Sequence, residues 1–495
     1  MSSSFLIYNN PLILISILPL VGILILLVVP STYKNYIKLI AFSTSSFAFL
    51  VSLFIWVNFL NNTSFFQFSN TLFFITQWNL TYSLGLDGIS LFFLILTTFL
   101  INICILISWE SINFFLKEYF ICFLFLEFCL IQVFCVLDIF LFYIFFESVL
   151  IPMFLIIGVW GSRARKVRAA YQFFLYTLIG SFFTLVSIIF IYSNTGTTDL
   201  LILWFTKFNF STQLILWLAF FFGFAVKIPM VPMHIWLPEA HAEAPTAGSV
   251  ILAGILLKLG GYGFIRFSLP LFPEASVYFS PLVFLLSLVA IVYGSLTTLR
   301  QIDLKKVIAY SSISHMGFVT LGIFSLNAIS IEGSIILMLS HGLISSAMFF
   351  CIGIIYDRFS TRILKYYSGL VQVMPLFSIF FMFFSFSNIS FPGTSSFIGE
   401  LMILSGLTQI SFILIFFALF GVILSAGYAI WLLNRIIFST LKIYYFKIFQ
   451  DISRREFIIL INLSLLVVWI GIYPSIFLID INFSVLNLVK HVSLS

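Results

Sequence analysis

The chain has 495 residues, 62% of them hydrophobic and only 8% charged, with a net charge of +6 and a mean hydropathy of +1.19. Soluble domains carry roughly 25% charged residues, so this chain cannot cover a water-facing surface. Its basic residues gather at turns between apolar runs, which reports membrane topology and excludes a nucleic-acid-binding patch.

A spanning helix needs about 20 apolar residues, because the hydrocarbon core is ~30 Å thick and a helix rises ~1.5 Å per residue. In chain order, spans are predicted near 5–29, 37–60, 88–108, 118–136, 139–160, 169–192, 213–235, 247–268, 279–299, 304–324, 329–355, 371–409, 412–440 and 457–479. A transmembrane barrel would show alternating segments of ~10 residues, and unbroken stretches such as Leu12 to Val29 argue against it. The predicted fold class is all-α: a polytopic membrane protein of about fourteen transmembrane helices, forming one transmembrane domain over 1–495.

With the first residue outside, 18 of the 23 Lys and Arg residues fall in inner-side turns, while outer segments hold Lys207, Arg266 and Lys490. That split follows the positive-inside rule. The remaining two, Lys227 and Lys258, lie within spans. The turn from Gly161 to Arg168 reads as an inner-side anchor. The first apolar run is too long for a signal peptide and lacks a basic leader, and an Arg-rich import presequence is not expected. Usage of 66 Phe with abundant Ile, Leu, Asn and Tyr suits an AT-rich genome such as an organelle's. The five cysteines (Cys104, Cys122, Cys129, Cys135, Cys351) form no Cys-x-x-Cys pattern. An iron–sulfur cluster needs four clustered thiolates, so buried inert thiols are expected.

Charges within a bilayer are costly and usually face the bundle interior for a reason. Glu147 sits in an apolar span; burial and a nearby cation act on a carboxyl in opposite senses, which can poise it for proton exchange. A hydrogen-bonded structural carboxyl is the alternative. Lys227 ends an apolar run just before Pro229 and Pro232, where missing N–H donors break a helix; a break in lipid is tolerated where protein or water satisfies the freed groups. A lysine snorkelling from a helix end is the bland reading. Lys258 lies among Gly254, Gly260, Gly261 and Gly263, which permit close helix approach and suggest a central lysine able to exchange a proton. His315 and His341 fall near the middle of successive spans, flanked by serines that could hold a water file, with imidazoles that titrate closest to neutrality. Structural histidines are the alternative, and no same-helix pair suggests haem. Glu400 follows a second break at Pro392 and Gly393. Two interrupted spans, five helices apart, point to an inverted repeat with a transport site near the midplane. Asp87, Glu110, Asp138, Asp303 and Arg266 lie near predicted span ends, where interfacial solvation is expected; Glu127 is deeper and stays open. His234, Glu239, His241 and Glu243 are read as a carboxylate–imidazole cluster, a proton route in preference to a zinc site.

Several blocks carry a family resemblance: Phe146-Glu-Ser-Val-Leu-Ile-Pro-Met153, the run from Val226 through Lys227, His234 and His241 to Thr246, Leu257-Lys-Leu-Gly-Gly-Tyr-Gly263, Asp303-Leu-Lys-Lys306, Ala309-Tyr-Ser-Ser-Ile-Ser-His-Met-Gly317 and Phe391-Pro-Gly-Thr394. Together they closely resemble the antiporter-like subunits of respiratory complex I, over roughly Gly85 to Ser439. The resemblance implies a proton-channel unit of the membrane arm, a translocase subunit with inverted five-helix repeats at 118–268 and 279–440 and flanking helices at both ends. It implies that Glu147 pairs with Lys227, that Lys258 is central, that His315 and His341 lie on a hydrated axis, and that Glu400 leads outward. Protons would be taken up from the inner side, with Lys227 and Lys258 exchanging them. The resemblance further implies no cofactor in this chain, with NADH, FMN, iron–sulfur clusters and ubiquinone in partner subunits. The expected partners are other complex I subunits, especially neighbouring antiporter-like ones, and membrane lipids. The implied location is the mitochondrial inner membrane, with a bacterial inner membrane or a thylakoid as alternatives. A multisubunit cation/proton antiporter and a passive membrane spacer are the rival functions.

Overall fold

Several spans start where a polar side chain satisfies free N–H groups of the first helical turn. In the computed structural model, which describes residues 10–75, 79–441 and 450–494, Asp87 accepts from the Ser90 N–H at 3.0 Å while Ser90 Oγ accepts from the Asp87 N–H, a capping box that opens the helix Gly88–Ser111. Asp138 accepts from the Phe140 and Leu141 N–H groups and from the Thr198 hydroxyl at 2.6 Å, starting the span Ile139–Trp160. Asp303 caps Leu304–Phe324. These aspartates were expected in interfacial solvent; Asp87 and Asp138 are instead buried, because helix N–H groups replace water around the carboxylate. Glu110 is exposed at its helix end. The first residues of the expected span at 5–29, and the inner-side Lys442 and Lys447, lie outside the described residues.

Among the described residues, fourteen helices are long and apolar enough to cross a membrane, but they are not quite the predicted fourteen. The span expected at 371–409 is two short helices, Pro375–Asn388 and Ser395–Leu407, parted at Phe391–Thr394, where Gly393 takes φ +91. An additional helix, Ser475–Leu494, follows the last predicted span. Within it, Asp480 accepts from Trp56 Nε1 at 2.9 Å and His491 Nε2 donates to the Trp204 carbonyl at 2.9 Å. Trp56 and Trp204 both sit at outer ends by the distribution of basic residues. The residues from Ile479 onward therefore run along the outer ends of other helices, and the interrupted pair supplies the fourteenth crossing. The outer segment after Lys34–Val57 also forms an antiparallel hairpin, Gln67–Ile75 with Leu80–Leu86, with Asn70 opposite Leu84.

The chain divides into two compact units. One comprises residues 1–227, 259–279 and 479–495. Its apolar core includes Leu12, Ile15, Val51, Ile55, Leu86, Leu91, Leu94 and Ile131, from the first four spans and the hairpin. The other comprises residues 228–258 and 280–478. Its helices Leu304–Phe324 and Ala328–Phe359 are almost entirely buried, whereas Phe412–Phe438 is largely exposed. A helix that is covered all round is a bundle core, and those two core helices carry His315 and His341.

Candidate proton-transfer site

In the first unit, Lys227 is the last residue of the helix Phe210–Lys227. Pro229 offers no N–H and disfavours helical geometry in the residue before it, so the helix stops there and leaves a cation at its negative end. Gly180 lets the helix Lys166–Thr195 lie against this one: a Cβ there would sit 3.2 Å from Val226 Cβ. The Lys227 ammonium donates to the Phe146 carbonyl at 2.7 Å and stands 3.0 Å from the centroid of the Phe146 ring. Glu147 Oε1 is 3.5 Å from Lys227 Nζ. That distance makes an ion pair without a hydrogen bond, and this oxygen has no hydrogen-bond partner among the described residues. Glu147 is also the more open partner, with 19% side-chain exposure against 4% for the lysine. The result is a loose pair whose lysine is anchored independently of its carboxylate.

In the second unit, four predicted residues come together as a chain. The Lys258 ammonium lies 2.8 Å from His341 Nδ1 and also bonds the Ala253 carbonyl. That carbonyl is presented by a π-helical turn at Leu252–Leu256, whose i to i+5 spacing matches the step from Ala253 to Lys258. Such turns inside α-helices are frequent at functional sites, and the residue pattern did not announce this one. The His341 and His315 rings are 5.7 Å apart between centroids. His315 Nδ1 is 3.1 Å from Glu400 Oε1, and His315 Nε2 is buried with no partner among the described residues. Gly399 seats Glu400: its Cα lies so close to the helix Ala328–Phe359 that a Cβ would come within 2.9 Å of the Leu337 backbone. All four side chains of this chain are buried. The flanking serines direct their protons to their own helices, as Ser314 does to Ser311 and Ser345 to His341, so what they offer the site is lone pairs.

Of the remaining candidates, the His241 ring makes no hydrogen bond among the described residues but lies within electrostatic reach of Lys305, Lys258 and His341. His241 stacks on Phe349 at 4.6 Å, and His234 meets the edges of Tyr293 and Tyr310. Glu239 pairs with Lys306 at 2.5 Å, while buried Lys305 donates to the Ala244 carbonyl at 2.7 Å. No hydrogen bond or ion pair joins His234, Glu239, His241 and Glu243 to one another among the described residues, where no group of three or more His, Cys, Asp or Glu could hold a metal. Glu127 is fully buried, and neither of its carboxyl oxygens has a hydrogen-bond partner there.

One pair was misjudged from sequence. Arg266 and Asp87, both expected in interfacial solvent, form a buried ion pair at 2.5 Å. Arg266 also donates to the Tyr262 hydroxyl at 3.1 Å and lies over the Phe66 and Tyr262 rings. Burial pushes the Asp87 carboxyl up, but Arg266 and the Ser90 cap outweigh it and hold Asp87 below its ordinary value. A second π turn, Phe264–Ser268, carries Arg266.

Buried acid–base pairs within broken membrane helices define an antiporter-like membrane subunit, and the family model described as NADH:quinone oxidoreductase/Mrp antiporter, TM, matches residues 136–425. The chain is 65% identical over 484 residues to the NADH-ubiquinone oxidoreductase chain 4 of Chondrus crispus, covering 98% of each chain. It is 58% identical to that of Marchantia polymorpha, covering 96% of each. The chain belongs to the NADH-ubiquinone oxidoreductase chain 4 family. Among solved structures it resembles a chain of respiratory complex I from Thermus thermophilus with bound NADH, with a TM-score of 0.89, 26% identity, and coverage of 97% of this chain and 99% of that one. It shares its fold with a chain of an archaeal membrane-bound sulfane sulfur reductase, at a TM-score of 0.85 and 21% identity over 97% of this chain and 99% of that one.

Proposed function

We propose that this chain is a proton-translocating membrane-arm subunit of NADH:ubiquinone oxidoreductase, driven by redox chemistry in partner subunits. Its close relatives bear that enzyme's name, and the observation that carries the reading is the buried series Lys258, His341, His315, Glu400. In this reading Lys258 gives a proton to His341 Nδ1, and the imidazole releases its other proton from Nε2. A small ring motion or one ordered water passes that proton to His315 Nε2. His315 then releases its Nδ1 proton to Glu400, which leads outward. Each imidazole accepts at one nitrogen and donates at the other, which is how histidine relays a proton. The groups titrate together, since strongly interacting sites share their protons.

The Lys227–Glu147 pair acts as the control element. While paired, Lys227 keeps its proton; when Glu147 moves away, the buried ammonium loses the charge that stabilised it and gives the proton up. Moving one charge against 100 mV costs ~2.3 kcal/mol, so the opening is driven by the redox partners. The matching breaks after Lys227 and before Glu400 support inverted repeats at 118–268 and 279–440. The relatives' names and the Phe-rich composition support a mitochondrial inner membrane, with NADH, FMN, iron–sulfur clusters and ubiquinone held by other subunits.

The test is NADH-driven proton pumping by the assembled complex carrying Glu147→Gln or Lys227→Met. Both should pump poorly, and normal pumping in either would sink this role for the pair. The family description also includes Mrp antiporters; sodium-dependent proton exchange without NADH would favour that second reading.

A further inference from the structure

The outer end of the first unit holds a cavity of about 320 Å³ that the proton site does not use, lined by Trp204, Lys207, Phe208, Gln213, Glu274 and His491 among others. Binding pockets for small ligands typically start near ~300 Å³, so it is large enough for a polar headgroup. Its chemistry is two-sided. Gln213 is 95% buried, and its amide nitrogen donates to the Phe208 carbonyl at 2.9 Å. Its Oε1 is buried and has no partner among the described residues. The carboxylate of Glu274 adds a second acceptor at the rim. On the donor side, the buried Trp204 indole N–H also lacks a partner there, and Lys207 contributes a cation. His491 holds Trp204 in place by donating to its carbonyl at 2.9 Å.

Buried polar atoms without partners cost free energy unless a ligand or water meets them. Gln213, Glu274, Trp204 and Lys207 thus bring two acceptors and two donors to the lining of one cavity. A simple anion would meet Glu274, and a simple cation would meet Lys207; a zwitterion satisfies both sides. Gln213 Oε1 needs a hydrogen-bond donor, which a primary ammonium has and a quaternary ammonium lacks. Phe205, which lines the cavity, is 85% exposed; close by along the chain, the Phe210 ring packs on that of Tyr278 at 5.9 Å, with Tyr278 62% exposed. By the distribution of basic residues the cavity opens at the outer membrane interface, where acyl chains can run along those rings.

We propose that this cavity binds the headgroup of an outer-leaflet phosphatidylethanolamine, its phosphate on Trp204 Nε1 and Lys207 and its ammonium on Gln213 Oε1 and Glu274. The intact assembly carrying the full chain is placed in nanodiscs of mixed phosphatidylethanolamine, phosphatidylcholine and phosphatidylglycerol. It is then re-extracted in mild detergent, and retained lipids are counted by native mass spectrometry. The native protein should keep one phosphatidylethanolamine more than the Gln213→Leu and Glu274→Gln variants, with occupancy at least tenfold lower in each. Glu274 lies at the exposed rim, so its variant tests the site even if Gln213→Leu does not assemble. Equal retention of phosphatidylcholine or phosphatidylglycerol at this site, or unchanged phosphatidylethanolamine in an assembled variant, would overturn the proposal. Because the readout is bound lipid, its failure is separate from any failure of the proton-pumping reading.

Discussion

Among the described residues of the first unit, one fully buried ion pair and one partly open pair are built in opposite ways. Arg266 and Asp87 meet at 2.5 Å, with Tyr262, Ser90 and the Phe66 ring completing their shells. Lys227 and Glu147 stand 3.5 Å apart, and the lysine finds its hydrogen bond at a backbone carbonyl instead. Burying two charges is costly, and the cost is recovered only with good geometry and further hydrogen bonds. Arg266–Asp87 has both and ties the hairpin end of the chain to the span Thr246–Leu271; it is a lock. Lys227–Glu147 has neither in full, so opening it sacrifices little, and that suits a switch.

Four substitutions test whether the two pairs differ in this way. Arg266→Leu should destabilise the assembled protein by about 3–5 kcal/mol, the usual cost of leaving one buried charge alone; thermal unfolding reads it, and pumping per assembled complex should stay near normal. Lys227→Met should do the reverse. Folding should persist, while pumping falls by roughly 100-fold, the lower range for losing a positioned acid–base group; proton uptake by reconstituted vesicles is the measurement. Glu147→Gln keeps the Phe146 contact to Lys227 and should lower pumping less, about tenfold, with a melting temperature close to native. The smallest effect concerns pH. Asp87 is held below its ordinary 3.8 in the folded protein, so the unfolded state binds more protons in acid. The stability that Asp87 contributes is complete above 3.8 and is lost as pH falls through its depressed folded value. The stability gap between native protein and Asp87→Asn should stay flat above pH 4 and narrow only below it. A gap that closes near neutrality would show that this pair is not a lock.

How much was legible in advance depended on whether a residue's role was local. The membrane bundle, the two breaks and the six relay candidates follow from hydropathy, proline and in-span charge, all read along the chain. Arg266–Asp87 was not legible, because 179 positions separate the partners and each, taken singly, looks like an ordinary interfacial charge. The Asp–x–x–Ser cap at Asp87 was the one local signal that this carboxylate had backbone partners. The π turn behind Lys258 was equally hidden: the nearby glycines signal close packing, and a shift in hydrogen-bond register leaves no residue pattern. The helix Ser475–Leu494 was missed because Asp480, Lys490 and His491 dilute its apolar content, and its contacts with Trp56 and Trp204 come from distant parts of the sequence. His234 and His241 part company in the fold: His234 lies in the turn before the helix Trp236–Glu243 and meets Tyr293 and Tyr310, while His241, on that helix, stacks on Phe349 within electrostatic reach of Lys258 and His341.

The central claim is that buried Lys258, joined through His341 and His315 to Glu400, carries the protons. The most direct test is the ratio of protons pumped to electrons transferred in the complex bearing Lys258→Met, measured beside its quinone reductase rate in the same vesicles. The account predicts assembled complex with residual electron transfer and a clearly lower ratio. A Lys258→Met complex that keeps the native ratio would contradict it.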